Sequence, residues 1–207
     1  GLGVTQFRMS RASRDLVENN AWSESKTTSV VVGVRGDFEL ADRFFNWEVA
    51  YSDGQADSDF YQTVLNQQNF VNSLHVMTNS SGNVVCSPTA LSTSVLQISQ
   101  NLGQTGGVPL VPNGDPNCVP LNLFGEGTAS AEARDYVTDE THARVKLEQS
   151  IFNANVGGTL FDMWGGGFAV NVGFERRIEK GAFIPDAFQQ AGLGRAVAIA
   201  PNSGQFD

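Results

Sequence analysis

Thiol and imidazole side chains, which commonly act as nucleophiles, bases or zinc ligands, are few in this 207-residue chain. The candidates are two cysteines, Cys86 and Cys118, and two histidines, His75 and His142. Two thiols cannot complete a four-ligand zinc site by themselves, and only two histidines are available to help. A disulfide that closes a surface loop explains the cysteines better than two free thiols, and it points to an oxidising compartment such as the periplasm or cell surface.

The sequence gives little support for nucleophilic catalysis or for calcium binding. His142 follows Asp139, Glu140 and Thr141, but neither histidine lies in a nucleophile motif such as Gly-x-Ser-x-Gly. The acidic run from residue 53 to residue 59 lacks the spacing of a helix-loop-helix calcium site, so a solvated strand end is the better interpretation. We therefore expect no enzyme activity, no catalytic residue, no metal site and no cofactor.

The charge distribution excludes a nucleic-acid-binding protein. Charged residues make up 17% of the chain, and 22 acidic against 13 basic residues give a net charge of -9. No Lys or Arg occurs from Phe44 through Ala133. Binding to a phosphate backbone needs clustered Lys and Arg, so we expect no nucleic-acid partner.

The hydropathy pattern excludes membrane helices but permits membrane strands. No apolar run approaches the roughly 20 residues that a transmembrane helix needs. The strands of a membrane β-barrel alternate apolar and polar residues and keep the average hydropathy low. The chain begins at Gly1 without Met, and we interpret it as part of a longer protein.

Two segments of period-two alternation predict the first hairpin. From Thr28 to Phe38, Val30, Val32 and Val34 alternate with mixed residues, and from Phe45 to Tyr51 the odd positions are aromatic or aliphatic. Beyond Tyr51 the same parity becomes acidic. This change is typical of a strand that leaves a bilayer through an aromatic girdle.

A second hairpin is predicted near the end of the chain. Apolar residues alternate with charged ones from His142, the phase changes at Ile151–Phe152 as at a β-bulge, and a glycine-rich turn precedes a strand from Phe168. The hairpins then cover about 28–61 and 142–180. A long, disulfide-containing loop of about 62–140 joins them, with short helices expected after Ser87-Pro88 and from Ser130, and a second loop covers 181–207.

Several segments of the sequence resemble motifs of a known protein family. The segment Cys118-Val119-Pro120-Leu121-Asn122-Leu123-Phe124-Gly125-Glu126-Gly127 resembles the C-x-P-L-N-x-F-G-x-G segment of large TonB-dependent receptors of Gram-negative outer membranes. Gly158-Thr159-Leu160-Phe161, the turn at Trp164, and Gly173-Phe174-Glu175-Arg176-Arg177 resemble a barrel hairpin of that family, as does the strand that ends at Ser52.

The resemblance implies an all-β fold, with antiparallel up-and-down strands of a large transmembrane β-barrel of about 22 strands and a long extracellular loop carrying short helices. It also implies a receptor that captures a scarce solute, such as a siderophore-iron complex, cobalamin or an oligosaccharide, for energised uptake. The expected partners are outer-membrane lipid, the remainder of the barrel, a plug absent from this chain, TonB through that plug, and a small-molecule or oligosaccharide ligand.

Charged residues of the polar parity are candidates for a lumen-facing wall, which either serves ligand passage or is simply the wet interior of a barrel. They are Arg35, Asp37, Glu48, Arg144, Lys146, Glu148, Glu175 and Arg177. Two other classes remain open. A secreted β-sandwich that binds a partner or carbohydrate would bury the apolar parity between two sheets. A secreted enzyme lacks a recognisable catalytic constellation.

Overall fold

The computed structural model describes residues 14–17, 21–89, 114–194 and 198–207, which form mainly antiparallel β-sheet. The chain divides into two compact units. We call Ser23–Phe60, Ala143–Ile184 and Pro201–Asp207 the strand unit, and Gly1–Trp22, Tyr61–His142 and Pro185–Ala200 the loop unit. Within the described ranges, no helix has both the length and the apolarity to cross a membrane.

Five strands form one sheet in the order β1-β2-β5-β6-β7. They are β1 (Trp22–Leu40), β2 (Arg43–Leu65), β5 (Thr138–Met163), β6 (Gly166–Pro185) and β7 (Asn202–Phe206). The first four are longer than the alternating segments of the sequence, because the apolar parity gives way to polar residues while the backbone pairing continues. The described strands form an open sheet with β1 and β7 at its edges, and no closed barrel is found among them.

Tight turns close both long hairpins. Ala41 and Asp42 join β1 to β2 with φ of 55° and 58°, the left-handed conformation that a two-residue hairpin turn requires. Trp164 and Gly165 join β5 to β6. Beside the turns, the guanidinium of Arg43 on β2 donates to the carboxylate of Asp162 on β5 at 2.6 Å. This ion pair connects the two hairpins.

The register of β5 corrects the bulge expected at Ile151–Phe152. Ser150 on one side of this step bonds to Asp53, and Gly158 on the other side lies against Phe45. Residues 150 to 158 of β5 therefore face residues 53 to 45 of β2 without an inserted residue. Apolar residues occupy odd positions up to Ile151 and even positions from Phe152 because each face of the strand changes in polarity at this point. The pairing of β5 with β2 is continuous through it.

Residues 181–207, expected as a loop, contain regular structure. Strand β6 continues to Pro185, a short helix α3 covers Ala187–Ala191, and β7 pairs with Glu179 to Phe183 of β6. The sequence Asn202-Ser203-Gly204-Gln205-Phe206 has no apolar alternation. Backbone pairing along an open strand edge, which leaves no side-chain signature, places β7 in the sheet.

The loop unit contains the buried side chains of a small core. Leu16, Leu121, Ala133 and Val137 form it, with Leu65 and Phe70 among the residues that pack against it. Around the core lie helix α1 (Gln67–Leu74), the small antiparallel ribbon of β3 (Val76–Thr78) and β4 (Val84–Cys86), and helix α2 (Ala131–Val137).

Helix α2 begins where the sequence predicted, because the Ser130 hydroxyl accepts a hydrogen bond from the backbone amide of Ala133. The helix expected after Ser87-Pro88 lies almost entirely outside the described residues.

Candidate functional site

The two faces of the strand unit are defined by contacts between neighbouring strands. On one face the rings of Phe38 and Phe45 stack with centroids 5.3 Å apart, and a Cβ at Gly36 would lie 3.0 Å from the indole nitrogen of Trp47. The rings of Phe152 and Phe174 meet at 6.3 Å on this same face. We call it the band face, because an apolar band crosses β1, β2, β5 and β6 on it.

Most of the apolar band is exposed and the rest of it is half-buried, and no second layer covers it among the described residues. Val34 is 62% exposed and Val172 is 66% exposed. An antiparallel sheet of a soluble protein normally packs such an apolar row against a core. The band consists of Val30, Val32, Val34, Phe38, Phe45, Trp47, Val49, Tyr51, Phe152, Ala154, Val156, Val170, Val172 and Phe174. In the described strand unit, the second sheet that a β-sandwich would need is absent.

Further along the same face the band ends and charged residues follow. Tyr51 is succeeded by Asp53 on β2, and Phe152 by Ser150 on β5 in the opposite chain direction. Ser150 donates to Asp53 at 2.7 Å, and Arg144 donates to Asp59 at 2.8 Å. The ammonium of Lys180 lies 3.8 Å from the Glu148 carboxylate. The side chains of this charged zone therefore pair with one another across strands.

This arrangement divides the eight predicted wall residues into two groups. Arg144, Lys146 and Glu148 lie on the band face, within the charged zone. The opposite face carries Arg35, Asp37, Glu48, Glu175 and Arg177. The prediction placed all eight on one wall because it assumed a bulge at Ile151–Phe152. With continuous pairing, the even positions of β5 before and after that step share one face.

The opposite face is rich in amide side chains, and we call it the amide face. A Cβ at Gly157 would lie 3.3 Å from the Asn46 side-chain oxygen on β2 and 3.4 Å from the Asn171 side-chain carbon on β6. Asn155 on β5 approaches Gly173 on β6, where a Cβ would lie 3.7 Å from the Asn155 Cβ. Asn153 belongs to the same face by alternation.

Ion pairs on the amide face lie beyond these asparagines. Arg177 donates to Glu175 at 3.1 Å and lies 3.8 Å from Glu179, and Gln149 donates to Glu179 at 2.7 Å. By contrast, Arg35, Asp37 and Glu48 form no ion pair with another described residue. The amides were missed because sequence reasoning considered only charged residues. The positions that alternate with Phe152, Ala154 and Val156 would have indicated Asn153 and Asn155.

The loop unit contains the disulfide that the sequence predicted. Cys86 and Cys118 are bonded, with Cα atoms 6.1 Å apart and 32 residues of separation. Two backbone hydrogen bonds hold the segments beside it. The amide of Ser87 donates to the carbonyl of His75 at 2.8 Å, and the amide of Leu121 donates to the carbonyl of Ser73 at 3.0 Å. The disulfide thus joins the end of β4 to the segment that enters the core.

The groups considered for catalysis have structural contacts. The His142 ring stacks on Tyr61 at 4.6 Å, and Tyr61 stacks on Trp22 at 3.9 Å. The backbone amide of His142 donates to Asp186, which also caps helix α3. Across the residues the structure describes, no group of three or more His, Cys, Asp or Glu side chains is arranged to hold a metal ion.

Comparison with known proteins gives no assignment. No protein-family profile matches the chain, and no curated protein sequence matches it.

Proposed function

We propose that this chain is part of a TonB-dependent outer-membrane receptor, which captures a scarce solute at the cell surface for energised uptake. The observation that carries the proposal is the band face, where an exposed apolar band gives way to paired charges at nearly the same level on adjacent strands. An outward-facing apolar band flanked by aromatic and polar residues is the signature of a membrane barrel strand. A sheet in water would have to cover this band with a second layer.

The connections between strands support the same proposal. The two turns that close the long hairpins contain two residues each, whereas the connection from β2 to β5 runs from residue 66 to residue 137. Short turns at one end of the strands and long loops at the other are typical of outer-membrane barrels. The disulfide within the long connection suits an oxidising compartment outside the cytoplasm.

The open edges of the sheet also fit a part of a larger barrel. Strand β1 is an edge over 19 residues with exposed valines, and such an edge in water is a template for aggregation. In the proposed receptor, further strands would pair with this edge and with the free edge of β7.

Site-directed spin labelling of the parent protein in lipid vesicles tests the membrane assignment. Labels at Val32 and Val172 are expected to collide with oxygen dissolved in the bilayer and to be protected from a water-soluble nickel reagent. A label at Asn171, the neighbour of Val172 on the amide face, is the matched control and should show the reverse. Equal access of the nickel reagent to Val172 and Asn171 would contradict the proposal.

TonB dependence needs a second measurement. Solute uptake by the parent protein in cells is expected to stop when TonB is deleted, while binding of the same solute at the cell surface persists. Unchanged uptake in the deletion strain would leave an outer-membrane protein that is not a TonB-dependent receptor.

A further inference from the structure

The polar groups of the two faces differ in their partners. On the band face, the carboxylates of Asp53 and Asp59 are occupied by Ser150 and Arg144. On the amide face, the side-chain amides of four asparagines form no hydrogen bond with any other residue in the described ranges: Asn46, Asn153, Asn155 and Asn171. Groups that pair with one another stabilise the sheet. Groups without protein partners remain available for a ligand.

Three adjacent strands bring these amides together. Asn46 lies on β2, Asn153 and Asn155 lie on β5, and Asn171 lies on β6. Gly157 lies between Asn46 and Asn171, and a Cβ there would be 3.3 Å from the Asn46 side-chain oxygen and 3.4 Å from the Asn171 side-chain carbon. Gly173 lies beside Asn155. The side chains of Asn46 and Asn171 therefore approach each other over Gly157, which has no side chain to hold them apart. We call the four asparagines the amide patch.

The chemistry of the patch selects a class of ligand. Each amide offers both a hydrogen-bond acceptor and two donors, which matches the hydroxyl groups of a polyol. The charged neighbours are two cations, Arg35 and Arg177, and three anions, Asp37, Glu48 and Glu175, so the surroundings have a small negative charge. Like charges repel an anionic ligand such as a carboxylate-rich chelate, whereas a neutral ligand escapes this repulsion.

We propose that the amide patch binds a neutral oligosaccharide. The position of the patch along a transport route rests on the receptor function proposed above, because only then does the amide face line a lumen. The hydroxyls of successive sugar units would hydrogen-bond with amides on β2, β5 and β6.

Calorimetric titration of the purified full-length protein tests this ligand class. The probes are three neutral linear hexasaccharides, maltohexaose, cellohexaose and xylohexaose, and one anionic comparator, hexagalacturonate. Saturable binding of at least one neutral probe is expected, with binding of hexagalacturonate at least about tenfold weaker. Absence of saturable binding by all three neutral probes overturns the proposal, as does hexagalacturonate binding of equal strength.

Variants then locate the site. The double substitution Asn46→Leu with Asn171→Leu keeps side-chain size and removes two amides, so it should weaken binding of the neutral probe by about tenfold or more. The control is Gln55→Leu, which removes an amide from the band face of β2 and should change the affinity less than about twofold. Equal effects of the two changes would place the sugar elsewhere.

Gly157→Ala covers the case in which the double variant fails to fold. It keeps every amide but places a methyl group 3.3 Å from the Asn46 side-chain oxygen and 3.4 Å from the Asn171 side-chain carbon. The two amides must then move apart, so binding should again weaken by several fold. Unchanged affinity in this variant would overturn the proposal, because it would show that the arrangement of these amides does not matter. If the spin labels report lipid contact and no hexasaccharide binds, the ligand assignment fails alone. If binding depends on the amides but the labels report water on both faces, the receptor assignment fails alone.

Discussion

The loop unit and the strand unit are stabilised in different ways. The loop unit buries side chains of its own, with Ala133 and Val137 fully buried, and adds a disulfide. In the described strand unit, Ala143 is the only hydrophobic side chain that is buried, and both faces of the sheet are otherwise open. A unit with a core can maintain its fold in water. A single-layer sheet with an exposed apolar band needs a cover, which the proposed function identifies as lipid.

The largest expected effect is in the core of the loop unit. Leu121→Ala should destabilise this unit by about 2–5 kcal/mol, because it removes a buried side chain and leaves a cavity. The matched control is Leu147→Ala in the strand unit, where the side chain is 54% exposed. Hydrogen exchange of peptides from α2 measures the outcome. Equal loss of protection in the two variants would contradict the proposed difference in how the two units are stabilised.

Removal of the disulfide should have the next largest effect on the same unit. Replacing both Cys86 and Cys118 with Ser should cost about 3–4 kcal/mol, since the bond closes a loop of intermediate length. Exchange should increase in β3, β4 and α2, while the peptides of β5 and β6 within the strand unit keep their protection. Increased exchange throughout the long strands would show that the two units do not respond separately.

The strand unit should respond to its surroundings instead. Val172→Lys places a charge in the apolar band and should cost about 2–4 kcal/mol in a bilayer if the residue lies near the midplane. Asn171→Lys, one residue away on the amide face, should have little effect. Chemical unfolding of the parent protein in lipid vesicles compares the two. If both lysines are tolerated, the band is not in contact with lipid.

The smallest expected effect is a pH dependence of the loop unit. Burial raises the pKa of the Tyr136 phenol above its usual value, and the hydrogen bond that its hydroxyl donates to Asp115 acts in the same direction, while the Asn72 amide lowers the pKa. The protonated phenol is thus favoured in the folded state. Its contribution to stability is complete below the unfolded pKa of about 10 and is lost as the pH rises through the folded pKa.

Thermal unfolding between pH 9 and pH 12, followed together with tyrosinate absorbance, measures this dependence. Tyr136→Phe should flatten the part of the profile above pH 10, and the same substitution at the exposed Tyr51 serves as the control. An identical profile in the Tyr136 variant would show that this phenol is not responsible.

Sequence reasoning succeeded where one local signal had one structural meaning. Ser130 before an apolar-periodic segment predicted the start of α2, and the two cysteines predicted their own pairing; both are confirmed. The prediction of an all-β fold is confirmed at the level of antiparallel sheet. The barrel and the receptor function stay predictions.

Sequence reasoning failed where one signal had two meanings. The phase change at Ile151–Phe152 is produced equally by an inserted residue and by a strand that passes between two environments. Only the pairs that Ser150 and Gly158 form with β2 distinguish these cases. Strand β7 was not predicted for a different reason: backbone pairing at a sheet edge requires no apolar pattern.

The sequence by itself determined the alternation of the strands, the position of a capped helix and a thiol pair in a polar segment, because these depend on neighbouring residues. The tertiary structure decided which residues share a face. It placed Arg144, Lys146 and Glu148 with the apolar band and gathered Asn46, Asn155 and Asn171 on the other side. Side-chain parity along one strand is a local property, but the match of faces between strands depends on register, which is fixed by pairing between distant parts of the chain.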